Sequence, residues 1–272
     1  MITGWGSRDP TTVRPIALPS RSRWRRSTPY ADGLAHAVTV AADTATVAWP
    51  PLDAQALFWL GMLQSRTGAA EASATTLERA MRRAAEARDD ALFLRAGTKR
   101  AYVLGVDLGR TTEALKLGAL PDPLVTRAGD DPETRARLLD NVGVVLRRTG
   151  AYAEAEDHFE RAGALYTQAL GPDHPNVAAV QNGLGNVLDD EGHYDEARRH
   201  YEQGLQIKER TLGAQHPRTA IARYSLGIVL QHQGNYADAL ASVEAALAVL
   251  EGAYGADLPA QPGRRAARPA AS

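Results

Sequence analysis

The strongest constraint on this chain is a repeat. Gly171-Pro-Asp-His-Pro175 recurs as Gly213-Ala-Gln-His-Pro217 and again as Gly255-Ala-Asp-Leu-Pro259, a step of 42 residues each time. One more step back falls on Gly129, where Gly129-Asp-Asp-Pro132 brings the proline one residue early. Inside the unit the register holds at five columns. Gly143, Gly185 and Gly227 align, as do Leu146, Leu188 and Leu230, then Gly150, Gly192 and Gly234. Tyr152, Tyr194 and Tyr236 follow, and then Ala155, Ala197 and Ala239. A chain self-similar at such a period folds as one small unit stacked on copies of itself, because no single unit can bury its own apolar face.

Each unit reads as two amphipathic helices separated by a glycine. In the first clear copy a helix is expected from about Pro132 to Thr149, with Leu138, Val142, Val145 and Leu146 at helical spacing. Gly150 ends it, and a second helix follows with Ala155, Phe159, Ala162 and Leu165 facing inward. Gly143 and Ala155 are small, which suits two helices in close approach. Glu154, Glu196 and Asp238 each stand in the first turn of a second helix, where a carboxylate meets the positive end of the helix dipole. The linker proline restarts the next helix at a position where its missing N–H costs nothing.

The order small residue, leucine, glycine, tyrosine, alanine, aromatic, alanine resembles the tetratricopeptide repeat. The 42-residue period with a Gly-Pro-Asp-His-Pro linker is similar to the longer variant of kinesin light chains and many bacterial proteins. The resemblance implies an all-α fold, an α-α superhelix of stacked antiparallel helical hairpins. Three units and the start of a fourth occupy residues 129–259. Degenerate hairpins of the same type are expected over 31–128. There Leu57-Phe-Trp-Leu-Gly61, Gly68, Leu77 and Ala80 fit the template, and Ser73 replaces the packing alanine. Ala101 stands where the small glycine belongs, and Pro121 and Pro123 interrupt a second helix. A helix at about Ala31–Val47 is expected to pack outside the first hairpin. Residues 1–30, with six arginines against one aspartate, read as a disordered leader, and residues 260–272 as a disordered tail.

The remaining composition narrows the function. With no cysteine, disulfides and thiolate metal sites are excluded. A net charge of −1 makes the molecule no general attractant for nucleic acid or anionic membrane. The N-terminal ten residues have no apolar core of a signal peptide, no membrane span is expected, and a cytoplasmic location follows as the expectation. The P-loop and the kinase motifs are absent. Gly183-Leu-Gly185 begins a dinucleotide-like pattern, but Leu188 stands where its last glycine belongs and no strand precedes it. The expectation is a non-enzyme with no cofactor and no metal. His174 and His216 sit in equivalent linkers and read as hydrogen-bonding groups near helix starts; His193, His200 and His232 read as solvated.

A second stripe runs along the first helices beside the core stripe. It is Arg137, Asp140, Val144, Arg147, then Ala179, Asn182, Asn186, Asp189, then Ile221, Tyr224, Ile228, Gln231. Steps of three, four and three residues keep each set on one helix face. The resemblance implies that this face lines a concave groove for an extended peptide or protein segment, often held through asparagines at the position of Asn182. Asp140 and Tyr224 replace that asparagine in the flanking copies. The expected partner-binding set is Arg137, Asp140, Arg147, Asn182, Asn186, Asp189, Tyr224 and Gln231, in a scaffold or adaptor. Trp49-Pro-Pro-Leu-Asp-Ala-Gln-Ala-Leu-Phe-Trp-Leu-Gly61 also resembles the repeat region attached to bacterial serine/threonine protein kinases. That implies an alternative, a non-catalytic C-terminal sensor or docking region from a truncated or incomplete gene model. Finally, the stack is expected to end uncapped, leaving parts of Leu240, Val243, Leu247 and Leu250 open to self-association.

Overall fold

The computed structural model describes residues 28–47, 49–118 and 131–254. Residues 28–30 of the expected leader belong to the first helix; its residues 1–27, with Pro121, Pro123, Gly129, the linker at Gly255–Pro259 and the tail, lie outside the described residues. Eleven α-helices and no strand are present among the described residues. In chain order they are α1 (Thr28–Val47), α2 (Pro50–Thr67), α3 (Ala70–Glu86), α4 (Asp90–Tyr102) and α5 (Thr111–Gly118). The regular units follow as α6 (Pro132–Thr149) with α7 (Tyr152–Leu170), α8 (Pro175–Asp190) with α9 (Tyr194–Leu212), and α10 (Pro217–His232) with α11 (Tyr236–Tyr254). The two helices of each unit pack on one another, and each second helix packs on the next first helix.

One contact recurs within the units. The large side chain at Leu77, Phe159, Tyr201 or Val243 rests on the glycine sixteen positions earlier, Gly61, Gly143, Gly185 or Gly227. A Cβ on those glycines would stand 2.7 Å from Leu77 Cγ, 3.1 Å from Phe159 Cε1, 2.9 Å from Tyr201 Cε1 and 2.8 Å from Val243 Cγ2. Phe159 is also wedged against the following unit, since a Cβ on Gly183 would lie 2.6 Å from its Cε1. Gly183 and Gly185 are therefore buried packing positions. In the α4–α5 unit the glycine is Ala101, and its partner Leu117 is only partly buried. There α4 passes into a wider π turn at Val103–Asp107. Gly105 and Gly118 provide the close approach to α6, where added Cβ atoms would stand 2.3 Å and 2.4 Å from Val145 Cγ2 and Val142 Cγ2.

Caps and linkers fix the register. Asp131 accepts from the backbone N–H of Glu133 and Thr134 at the start of α6. His174 and His216 take the same role on α8 and α10, with Nδ1 accepting from Asn176 N (3.2 Å) and Arg218 N (3.0 Å). Gly171 (φ +87°, ψ 160°) and Gly213 (φ +87°, ψ 155°) adopt a conformation open essentially to glycine alone, which explains why each linker begins with one.

The upstream part uses the same logic with substitutions. Ser73 is buried and its hydroxyl donates to the Gly61 carbonyl at 2.7 Å, so it keeps the close approach of α2 and α3 while satisfying itself. Asp53 ties three helices, accepting from Thr44 on α1 (3.5 Å) and from Arg83 Nε on α3 (2.8 Å). In α7 the buried residue beyond Ala162 is Tyr166, with Leu165 only partly buried. The expected opening at the end of the stack is corrected in part. Val243 and Leu250 are buried, because they rest on α10, while Leu240 is 52% exposed.

Gly185→Val should lower stability by about 1–3 kcal/mol, because the buried Tyr201 ring has no space to retreat into. The measurement is urea unfolding followed by helical circular dichroism. A variant as stable as the parent would show that the ring and the glycine are not coupled.

Candidate functional site

Successive first helices touch, α6 with α8 and α8 with α10, and no comparable contact joins α7, α9 and α11. The stack is therefore tighter on the side of the first helices, and these line its inner face. The expected stripe lies there. Arg137, Ala179 and Ile221 are exposed. Asp140, Val144, Arg147, Asn182, Asn186, Asp189, Tyr224, Ile228 and Gln231 are partly buried, as walls and floor of a groove would be.

Several of these side chains are committed within the chain. Arg147 pairs with Asp190 one unit on, and Asp189 with His232 one unit further, at 2.7 Å. These two contacts bind the C-terminal ends of α6, α8 and α10 into a ladder. His232 therefore has a hydrogen-bond partner in Asp189, and His200 Nδ1 donates to Gln181 Oε1 at 2.7 Å, so neither is merely solvated. Asp189 and Asp190 are thus engaged by His232 and Arg147. Arg137 bonds Glu133 on its own helix. Asn186 Oδ1 accepts from the Tyr201 hydroxyl at 2.9 Å, which leaves both amide hydrogens of Asn186 unused.

Beneath the stripe runs a second row, at a 42-residue step, that sequence reasoning passed over: Tyr166, Lys208 and Leu250, all buried on the second helices. Each faces a stripe residue. Tyr166 lies near the Asp140 carboxylate and the Arg137 guanidinium. Lys208 meets Asn182, whose amide oxygen lies 3.1 Å from Nζ when its nitrogen faces the Ala178 carbonyl. Leu250 clusters with the ring of Tyr224. The repeat step was the signal that could have found them, since an aligned tyrosine, lysine and leucine mark a buried column with changing polarity. Burial pushes the Asp140 carboxyl up to about 7, only partly offset by Arg137. Burial also raises the Tyr166 and Tyr201 hydroxyls, and lowers the Lys208 amine to about 8 with help from Arg218. The buried column thus changes from a neutral phenol, through an amine, to an apolar side chain. Trp59, 57% exposed on α2, also went unnoticed. Among the described residues no cluster of three or more histidines or carboxylates is placed to hold a metal, and no helix is long and apolar enough to cross a membrane.

The tetratricopeptide repeat family model matches residues 134–210 and 190–252. Residues 134–252 are tetratricopeptide repeats. The solenoid extends further, as similar solved structures show. The crystal structure of BtubC (BKLC) from P. vanneervenii has a TM-score of 0.68 at 20% identity, over 89% of this chain and 98% of that one. A Podosopora anserina putative kinesin light chain with nearly identical TPR-like repeats has a TM-score of 0.55 at 20% identity, over 74% and 96%. A Rap protein complexed with competence and sporulation factor has a TM-score of 0.51 at 15% identity, over 73% and 64%. At these identities the likeness is one of fold. No curated protein matches the chain. The likeness is to repeats, and kinase-attached regions are not among these structures.

Asp140 gives the groove a pH signature. Its folded pKa, about 7, lies above the ordinary 3.8, so the native state holds the proton more tightly than the unfolded chain. That contribution is fully present below about pH 4 and is lost as pH rises through 7. Asp140→Asn should be near neutral at pH 4 and stabilising at pH 8 by on the order of 2 kcal/mol. Urea unfolding at both pH values checks this, and parallel losses in parent and variant would refute it.

Proposed function

We propose that the chain is a scaffold or adaptor whose inner groove holds an extended protein segment. The observation that carries this reading is the partly buried row across α6, α8 and α10, which retains hydrogen-bonding groups at Asn186 and Gln231 unused among the described residues and exposes Ile221 near the start of α10. An extended segment presents backbone amides at regular intervals, and side-chain amides can meet them without regard to its sequence. The Rap protein of the same fold, complexed with competence and sporulation factor, agrees with such a use. Within the proposed set the roles divide. Asn186, Tyr224 and Gln231 contact the segment. Arg147, Asp189 and Asn182 act by fixing the wall, and Arg137 and Asp140 set the charge at one end. A photoreactive residue placed at Ile221 should cross-link a partner that one at Glu160, on the exposed side of α7, does not. Alanine at Asn186 or Tyr224 should weaken that partner by about 1–2 kcal/mol each. Equal cross-linking from both positions would remove the groove from the function.

A second reading, self-association through α11, is favoured by Leu240, which is 52% exposed beside the exposed Tyr236. Leu240 is the proper probe, because Val243 supports Gly227 and a charge there would disturb the fold. Leu240→Glu should dissociate any dimer seen in sedimentation. A dimer that survives the change would rule out this surface.

A further inference from the structure

The stack opens on half a unit. α1 packs on α2 as a second helix packs on the next first helix, and no first helix stands before it among the described residues. Ala41 and Thr44 of α1 are buried like Met81 and Ala84 of α3, which sets the two second helices in register. In that register the buried Thr76 and Ala80 correspond to His36 and Val40, and both of these are exposed. The physical reason is the number of neighbours: α3 packs on both α2 and α4, whereas α1 packs substantially on α2 alone.

The same gap shows on α2. Trp59 stands two residues before Gly61, in the column of Asn141 and Gly183. That column looks back at the preceding unit: the Asn141 amide donates to the Thr98 carbonyl on α4 at 3.2 Å, and Gly183 takes the Phe159 ring of α7. On α2 no first helix precedes the column among the described residues, and Trp59 is 57% exposed. Leu52, two turns earlier on the same face, and Trp49 at the N-cap are exposed as well. Five of the eight large apolar side chains exposed among the described residues lie on α1, on α2 or at their junction: Val38, Val40, Trp49, Leu52 and Trp59. They mark the place of a missing first helix.

The first helices of the regular units have 16 to 18 residues, and α1 itself, with 20, is long enough for such a place. It carries only Asp32, His36 and Asp43 as charged or imidazole groups, so a second α1 meets little charge there. His36 and Asp43 lie two turns apart on one face, with their midpoint between Thr39 and Val40. Two α1 helices crossing antiparallel at that midpoint set each imidazole opposite a carboxylate, to which its N–H can donate, and put Val40 at the centre. The residues ahead of α1 carry Pro15 and Pro19, and proline interrupts a helix.

We infer that this place is filled by α1 of a second copy of the chain, the two α1 helices lying antiparallel about a two-fold axis, with His36 of each copy against Asp43 of the other and Trp59 covered beside them. Each copy thereby supplies the helix that the other lacks, as a two-fold contact allows. The surface is separate from the groove and from α11, and the inference depends on neither reading.

Sedimentation of the full chain at high micromolar concentration should show a dimer that survives Leu240→Glu. Val40→Glu, and Trp59→Ser, which places there the residue that Ser225 supplies in the same column, should each raise its dissociation constant about tenfold or more, with helical circular dichroism unchanged. A charge exchange tests the pairing itself. His36→Glu sets like charges against Asp43 of the other copy, so that variant alone should associate weakly. Asp43→Arg removes the carboxylate that His36 meets, and it should associate weakly too. Mixed together, the two variants pair Glu with Arg and His with Asp, and should form a heterodimer at least as tight as the parent dimer. Damage to the fold cannot produce that recovery. A parent chain that stays monomeric overturns the inference, whether residues 1–27 or another protein covers the place. So does a dimer lost with Leu240→Glu but kept in Val40→Glu, which belongs to α11, and so does a mixture that fails to recover.

Discussion

The structure depends on a large side chain resting on a glycine. In four units the pair is the same in kind: Leu77 on Gly61, Phe159 on Gly143, Tyr201 on Gly185, Val243 on Gly227. It sets how closely the two helices of a hairpin approach, and hence the thickness of each unit and the pitch at which units stack. Phe159 adds a link between units by also facing Gly183. The exception supports the rule. With Ala101 in place of the glycine, the stack is continued by Gly105 and Gly118 meeting α6 at other heights. Packing at native density tolerates little departure from such a fit, so the repeat either keeps the pair or rebuilds the contact elsewhere.

The groove is a consequence of that pitch. Because the first helices are the closer set, side chains 43 residues apart meet across it, as in Arg147 with Asp190 and Asp189 with His232. A contact of that kind is exposed and individually weak. Its effect is geometric, since it aligns the C-terminal ends of three helices and holds the wall against which a segment would lie. The floor is set separately, by second-helix residues rising between the first helices. Tyr166, Lys208 and Leu250 give successive units different chemistry on one backbone plan. A solenoid can thus change the buried column beneath its inner face from unit to unit while the backbone plan stays the same.

Much of this was legible in the repeat. The helix boundaries of the three regular units, the linker prolines, the histidine caps and the inward columns all follow from periodicity, because local geometry decides them. The stripe was legible for the same reason, as a helix face is a matter of spacing. The histidines show where this ended: His200 and His232 lie on exposed-looking faces, yet each has a partner 19 or 43 residues away. Leu165 and Tyr166 are adjacent, and both fit an apolar stripe; the curvature of the stack chose Tyr166.

Sequence by itself determined that this chain is a stack of helical hairpins, where each regular hairpin turns, and which face of each first helix lies beside the core stripe. These depend on the φ freedom of glycine, the missing N–H of proline and the 3.6-residue period, all properties of a short stretch of chain. Tertiary structure alone decided which polar groups of that face are already used. It paired Arg147 and Asp189 with neighbouring units, and turned Asn182 toward Lys208, which meets no carboxylate among the described residues. The physical reason is that hydrogen bonds and charges are satisfied in space, between residues that the stacking, and not their order in the chain, brings within reach.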